Sequence, residues 1–152
     1  MIKARPATIT DSQDLFIWRN DNHTRLMSKN PLPVTIPEHE HWMATILCNN
    51  NKCLLICTNS QHKKIGMVRF DMLDEITEIS INIAPIHRGK SLATACLKSA
   101  IQYFKTNFSS DKPLTAAIKK NNTASQKCFQ AIGFILTTSS DNINYYTLNL
   151  IS

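Results

Sequence analysis

The sequence predicts an α/β fold of the α+β kind, with a mixed, mostly antiparallel central sheet flanked by helices. Three observations lead there. Several short runs alternate apolar and polar residues, most clearly Ile79, Ile81 and Ile83 against Ser80 and Asn82, which is the period of a half-buried strand. Two other segments repeat every three or four residues instead: Leu92, Ala93, Leu97, Ala100, Ile101 and Phe104, then Ala124, Cys128, Phe129, Ala131 and Ile132. That spacing gives each a helical apolar stripe. Finally, runs of strands are interrupted by helices, with no linker, internal repeat or low-complexity tract between them, so the helices pack on one sheet.

The elements follow in order. A strand is expected over 2–8 and a first helix over 11–20. The proline-rich Asn30-Pro31-Leu32-Pro33 joins that helix to a second over 35–48, which carries Pro37 near its start, where a missing N–H costs nothing. Strands are expected over 52–58, 64–71 and 77–83. Pro85 ends the last of these, and a helix runs on to about residue 107. A fifth strand over 114–119 leads to a helix over 123–132, with a cap-like Asn122 before it and Gly133 after it. Two strands over 134–138 and 144–150 close the chain.

With 152 residues, 43% hydrophobic and 18% charged, the chain is expected to form one domain over 1–152 with a full core. No run of about twenty apolar residues offers a membrane span, and Met1-Ile2-Lys3-Ala4-Arg5 lacks the apolar stretch of a secretory signal. A cytoplasmic protein without a membrane partner is expected. Its five cysteines show neither paired Cys-x-x-Cys spacing nor a disulfide framework. Cys53 and Cys57 share one face of a strand as packing residues, and His39 and His41 make a poor zinc site without further ligands, so no metal is expected. The net charge of +6 suits a small polyanion. The basic residues are scattered, without a recognition helix or aromatic ladder, so nucleic acid is not an expected partner.

The turn after the alternating strand carries the chemistry. Arg88, Gly89, Lys90 and Ser91 lead into Leu92 and Ala93 at a helix start. The first N–H groups there have no intrahelical partner and the dipole is positive, so an anion is favoured, and Arg88 and Lys90 add formal charge. With Asn122, Phe129, Gly133 and Phe134 about thirty residues on, this turn resembles motifs A and B of the GNAT superfamily of acyl-CoA-dependent N-acyltransferases. Motif A, Arg/Gln-x-x-Gly-x-Gly/Ala, is matched by Arg88, Ser91 and Ala93, with serine where glycine is usual. Motif B, an Asn followed seven residues later by an aromatic and then by Gly-Phe, is matched by Asn122, Phe129, Gly133 and Phe134.

The resemblance implies an acetyl-CoA-dependent N-acetyltransferase with acetyl-CoA as co-substrate and no metal. It implies that strands 77–83 and 114–119 diverge, and that main-chain groups of Ile81 and Ile83 pair with the pantetheine arm. The turn Arg88–Ala93, with Asn122, Lys127 and Phe129, would hold the rest of the cofactor. An N–H near Ile81 or Asn82 would stabilise the oxyanion. Glu78 is the candidate base for the attacking amine, with the ordinary solvated or ion-paired glutamate as the alternative, and His41 is second. Many family members carry a tyrosine where Phe129 stands, so water, Ser125, Tyr145 or Tyr146 must serve the departing thiolate. Trp18-Arg19-Asn20-Asp21, with Asn30-Pro31 and the segment from Glu38 to Trp42, resembles the branch that acetylates nucleotide-linked amino sugars. Arg19, Asn20, Trp42 and Arg69 are the candidate acceptor residues. Acetylation of protein N-termini or lysines and a non-catalytic acyl-CoA-binding module are the alternatives, and either a monomer or a homodimer is compatible.

Overall fold

The computed structural model describes residues 1–150. Strands β1 (Lys3–Pro6), β2 (Lys52–Thr58), β3 (Lys64–Met72), β4 (Thr77–Ile83), β5 (Leu114–Lys119), β6 (Ile135–Ser139) and β7 (Ile143–Leu148) form one sheet in the order β1-β2-β3-β4-β5-β7-β6. Every pairing is antiparallel except β4 with β5. The helices are α1 (Ser12–Asn20), α2 (Asn22–Met27), α3 (Ile36–Leu47), α4 (Ala93–Asn107) and α5 (Thr123–Ala131). The mixed, mostly antiparallel sheet read from the sequence is therefore present.

Alternation of side chains sorts the helices onto two faces. Leu55, Val68, Phe70 and Ile79 project to the side of α4 and α5, where they meet Leu97, Phe104 and Phe129 in the larger core. Phe70 stacks on Phe104 with ring centroids 4.4 Å apart. Cys53 and Cys57 lie in this core as expected, and burial raises the Cys53 thiol to about 12. Leu54 and Ile56 project to the other face and pack with Leu15, Trp18, Met43 and Ile46 of α1 and α3. Trp18 is thus core.

Three local features differ from the sequence reading. The first strand is confined to Lys3–Pro6, and a 3-10 turn at Ile9–Asp11 precedes α1. That turn exists because buried Asp11 collects the Arg5 guanidinium (2.9 and 3.0 Å), the Lys64 ammonium (2.7 Å) and the Thr8 N–H (2.9 Å). Helix α2 is the second, an element with no counterpart in the sequence reading. None of its six residues is fully buried, so it has no apolar stripe to betray it, and it is held by the Asp21 carboxylate accepting from the Thr24 N–H (3.1 Å). The final strand pair is Ile135–Ser139 and Ile143–Leu148, each end moved by one or two residues. Helix α3 opens with a capping box of Thr35 and Glu38, in which each side chain meets the other's N–H (3.3 and 3.1 Å).

Candidate functional site

Strands β4 and β5 start side by side and then part. Only Thr77↔Leu114 and Glu78↔Thr115 are in register, whereas β4 pairs with β3 over all seven residues and β5 with β7 over all six. On its β3 side, β4 is drawn in so tightly that a Cβ at Gly66 would stand 2.6 Å from Asn82 O. The Thr77 N–H donates to Pro113 O (2.9 Å) and the Ala84 N–H to Ile65 O (2.8 Å). Main-chain groups alternate along a strand, so odd-numbered residues of β4 address β5 and even-numbered ones address β3. Beyond the last registered pair, Ile81 and Ile83 therefore turn their N–H and C=O groups into the fork. The Asn82 N–H points the other way, which removes it as an oxyanion donor. Its side chain instead accepts from the Thr24 hydroxyl (3.2 Å).

The fork opens into a cavity of about 1370 Å³, larger than the few hundred Å³ that one small ligand needs. The turn after β4 forms its rim. Gly89 and Ser91 both take left-handed backbone conformations, with φ of 72° and 59°, and no heavy atom lies within 4 Å of the place a Cβ would take at Gly89. Leu92 caps α4 without any side-chain hydrogen bond, so the first-turn N–H groups are left for solvent or a ligand. Gly89, Ser91, Leu92 and Ala93 line the cavity, but Lys90 does not. Arg88 lines it too, but its guanidinium is committed to the Asp21 carboxylate and to the Thr24 hydroxyl (2.7 Å). Burial acts to raise the Asp21 carboxyl, yet the hydrogen bonds from Arg88 and Thr24 hold it below its ordinary value. Asn122, Lys127 and Phe129 of the α5 segment complete this side. Asn122 Oδ1 accepts from the Ser125 N–H (3.2 Å) as a helix cap, and buried Phe129 meets Phe134 edge-on at 5.0 Å.

The opposite wall belongs to α1, α2, α3 and the even-numbered face of β4. Glu78 stands at the root of the fork with its side chain 33% exposed and its carboxylate 3.9 Å from Lys29 Nζ. Arg19, Trp42 and Arg69, candidate acceptor residues, line the wall. Asn20 and His41 do not. The Asn20 amide bonds both ways to the Val34 main chain (2.8 and 2.7 Å), fixing the proline-rich connection. His41 is exposed outside the cavity. Two helical residues span about 200°, so His39 turns inward where His41 turns out. His39 is buried, lines the cavity, and its Nε2–H donates to Ser12 O (2.8 Å). The inward histidine is therefore His39, two residues from the expected one. Of the hydroxyls considered for the thiolate, Ser125 lines the cavity. Tyr146 is buried and donates to Gln126 Oε1 (2.8 Å) away from it.

A forked strand pair beside an uncapped helix start is the arrangement that acyl-CoA N-acyltransferases use, and comparison with known proteins agrees. Residues 2–135 match the family described as the acetyltransferase (GNAT) domain, and the chain belongs to that family. It is therefore an acetyl-CoA-dependent acyltransferase. The chain is 28% identical over 112 residues to the uncharacterized N-acetyltransferase YfmK of Bacillus subtilis, covering 73% of this chain and 74% of that one. Among solved structures, spermidine N-acetyltransferase from Vibrio cholerae in complex with CoA and spermine superposes with a TM-score of 0.86 at 16% identity, covering 97% and 95% of the two chains. A domain from Methanocaldococcus jannaschii superposes with a TM-score of 0.84 at 25% identity over 99% of each. Among the described residues, no helix is long and apolar enough to cross a membrane, and no cluster of three or more potential metal ligands occurs.

Proposed function

We propose that the chain, working as one domain over 1–152, transfers the acetyl group of acetyl-CoA directly to the primary amine of a small molecule, a nucleotide-linked amino sugar foremost. One observation carries this reading. The free main-chain edge of β4, the uncapped start of α4 and the Glu78 carboxylate all open into a single cavity. The turn from Gly89 to Ala93 presents N–H groups to the pyrophosphate, with Lys127 as a second cation. Ile81 and Ile83 offer the pantetheine arm a strand to pair with.

The Ile81 N–H then faces the thioester carbonyl and stabilises the charge that develops on its oxygen, a contribution of about 3 kcal/mol in related acyl transfers. Glu78 takes the proton of the incoming amine, whose nitrogen must be neutral to attack. The C–N bond forms, the C–S bond breaks, and Ser125 donates a hydrogen bond to the departing sulfur in place of the hydroxyl missing at Phe129. Arg19, Arg69 and the face of Trp42 shape the acceptor wall.

The test is thiol release from acetyl-CoA by the purified protein, with mass spectrometry of the acceptors. The panel comprises nucleotide-linked 4-amino sugars, peptides with free N-termini, and simple amines. Acetylated sugar is the expected product. Thiol release no faster than hydrolysis with every amine, despite CoA binding, would leave only a binding module.

A further inference from the structure

The acceptor half of the cavity contains guanidinium groups whose hydrogen-bonding capacity the chain leaves partly unmet. Arg19 and Arg69 line the cavity, and Arg69 pairs across the sheet with Ser80, on the face opposite Val68 and Phe70, which meet α4. Arg19 Nη2 donates to Asn30 O (3.2 Å), and Arg25 Nη2, on the neighbouring helix, to Asn22 Oδ1 (2.7 Å). Arg69 Nε lies 3.2 Å from Asp71 Oδ2, but its N–H is not aimed at that oxygen, and Asp71 also serves Lys52 at 3.2 Å. As a result Arg19 Nη1, Arg25 Nε and Arg69 Nε are shut off from solvent with no hydrogen-bond partner.

Nearly every buried donor in a folded protein finds an acceptor, and a charged one has the most to gain from doing so. Three unmet guanidinium donors in one neighbourhood, two of them on side chains that line the cavity, leave local positive charge that an anion entering the cavity can answer. Burial, followed by the like charges of Arg69 and Arg25, holds the Arg19 guanidinium below its ordinary value, a strain that an incoming anion relieves. The wider balance has the same sign. Arg19, Lys29, Arg69, Arg88, Lys119 and Lys127 line the cavity against the carboxylates Glu38 and Glu78. The pyrophosphate of the cofactor belongs at the α4 turn, several residues along β4 from Ser80, so it does not answer this cluster.

We infer that Arg19 and Arg69, backed by Arg25, form an anion subsite for the acceptor, so that the amine acetylated here carries a phosphate or carboxylate group as well. This rests on the acetyl-transfer reading above and assigns the acceptor's anionic group to these side chains. A planar fork suits either anion, and a polyamine would meet like charge.

The deciding experiment leaves the acceptor out. Protein saturated with CoA, which occupies the α4 turn, is titrated with inorganic phosphate and separately with acetate by calorimetry, with folding of each variant checked by thermal melting. Saturable binding is expected, weakened at least tenfold in Arg69→Gln and in Arg19→Gln and reduced by added salt. Tighter binding of phosphate than of acetate assigns the subsite to phosphorylated amines, and the reverse order to amino acids. If a Gln variant does not fold, Arg69→Lys, which keeps the charge and loses the fork, is expected to bind several-fold more weakly. No binding by the wild type, or equal binding by the variants, overturns the subsite and leaves acetyl transfer untouched. If CoA itself does not bind, the acetyl-transfer reading fails, and the same titration of the free protein still decides the subsite. In the amine panel, acceptors bearing phosphate or carboxylate should be used at least tenfold more efficiently than their uncharged counterparts. Equal use, or a preference for polyamines, also overturns the inference.

Discussion

Replacing Ser91 with glycine should stabilise the protein. Ser91 holds φ at 59°, a left-handed conformation that costs an L-residue about 1–2 kcal/mol through its Cβ. Glycine escapes that cost but gives back about 0.5–1 kcal/mol, because its unfolded chain is freer. The net expectation for Ser91→Gly is a gain of about 0.5–1 kcal/mol, or a rise in Tm of about 2–3 °C for a chain of this size. Gly89 supplies the opposite sign. It has φ of 72° and open space where a Cβ would stand, so Gly89→Ala meets the backbone cost less the same unfolded-chain offset and should lower Tm by about 2–3 °C. Thermal melts of the two variants and of Ser91→Ala, which keeps the Cβ and loses the hydroxyl, provide the assay. CoA affinity of Ser91→Gly should change by less than about fivefold, since a closer main chain offsets one lost hydroxyl donor. A lower Tm for Ser91→Gly with Ser91→Ala unchanged would refute the backbone argument, because the hydroxyl cannot then be the missing contribution.

Glu78→Gln keeps the shape and removes the basic lone pair, so kcat should fall at least about a hundredfold while CoA affinity holds; wild-type turnover across the pH range would rule Glu78 out. Arg88→Glu faces Asp21 with a second carboxylate and reverses charge at the turn, so calorimetry should show acetyl-CoA binding weakened at least about tenfold, and unchanged affinity would place the phosphates elsewhere. Burial acts to raise the Asp11 carboxyl, but Arg5, Lys64 and the Thr8 N–H outweigh it and hold it well below the ordinary value. A lowered folded pKa means that its stabilisation is complete above the unfolded value, about 3.9, and is lost as pH falls below it. Asp11→Asn should cost about 2–4 kcal/mol at pH 7 and flatten the acid limb of a denaturant titration between about pH 4 and pH 2; a limb as steep as the wild type's would assign acid unfolding to other groups. Phe129→Tyr brings a hydroxyl to a ring that is 2% exposed against Phe134, so it should raise kcat only if that hydroxyl reaches the cavity and otherwise lower Tm; an unchanged rate together with an unchanged Tm would contradict both halves of that account.

What is legible in the sequence is what depends on periodicity. Ile79, Ile81 and Ile83 announce β4, the stripe from Leu97 to Phe104 announces α4, and the turn between them is readable because strand, basic glycine turn and helix are local features. The cavity wall is less legible for a physical reason. Asn20 and Arg88 look like ligand contacts because both are polar and stand near the right motif, yet Asn20 is used up by the Val34 main chain and Arg88 by Asp21 and Thr24. Those partners lie between 14 and 67 residues away in the chain, and no spacing rule reveals them. The choice between His39 and His41 turns on rotation about one helix axis, which spacing alone leaves open. Arg69 lines the cavity because it alternates along β3 with Val68 and Phe70, which face the larger core.

Helix α2, invisible in the sequence, ties the two arms of the fork together. Lys119 at the end of β5 donates to Leu26 O at its C-terminus (2.9 Å), while Arg88, just past β4, holds Asp21 and Thr24 at its N-terminus. Thr24 in turn donates to Asn82 on β4 itself. Both arms are saturated on their outer edges by β3 and β7, so nothing in the sheet obliges them to close, and α2 spans the gap they leave. Its hold differs in kind from that of the other helices. None of its residues is fully buried, so it gains little from the core, and half-exposed polar contacts contribute about 1 kcal/mol apiece or less. Helix α2 is thus a wall element held mainly by polar contacts, and opening it disturbs no fully buried side chain. Charge reversal at Arg88 consequently acts on both halves of the cavity at once, loosening α2 as it strips charge from the turn. A loss of acceptor affinity accompanying the loss of acetyl-CoA affinity in Arg88→Glu would be the sign that the two halves are joined through this helix.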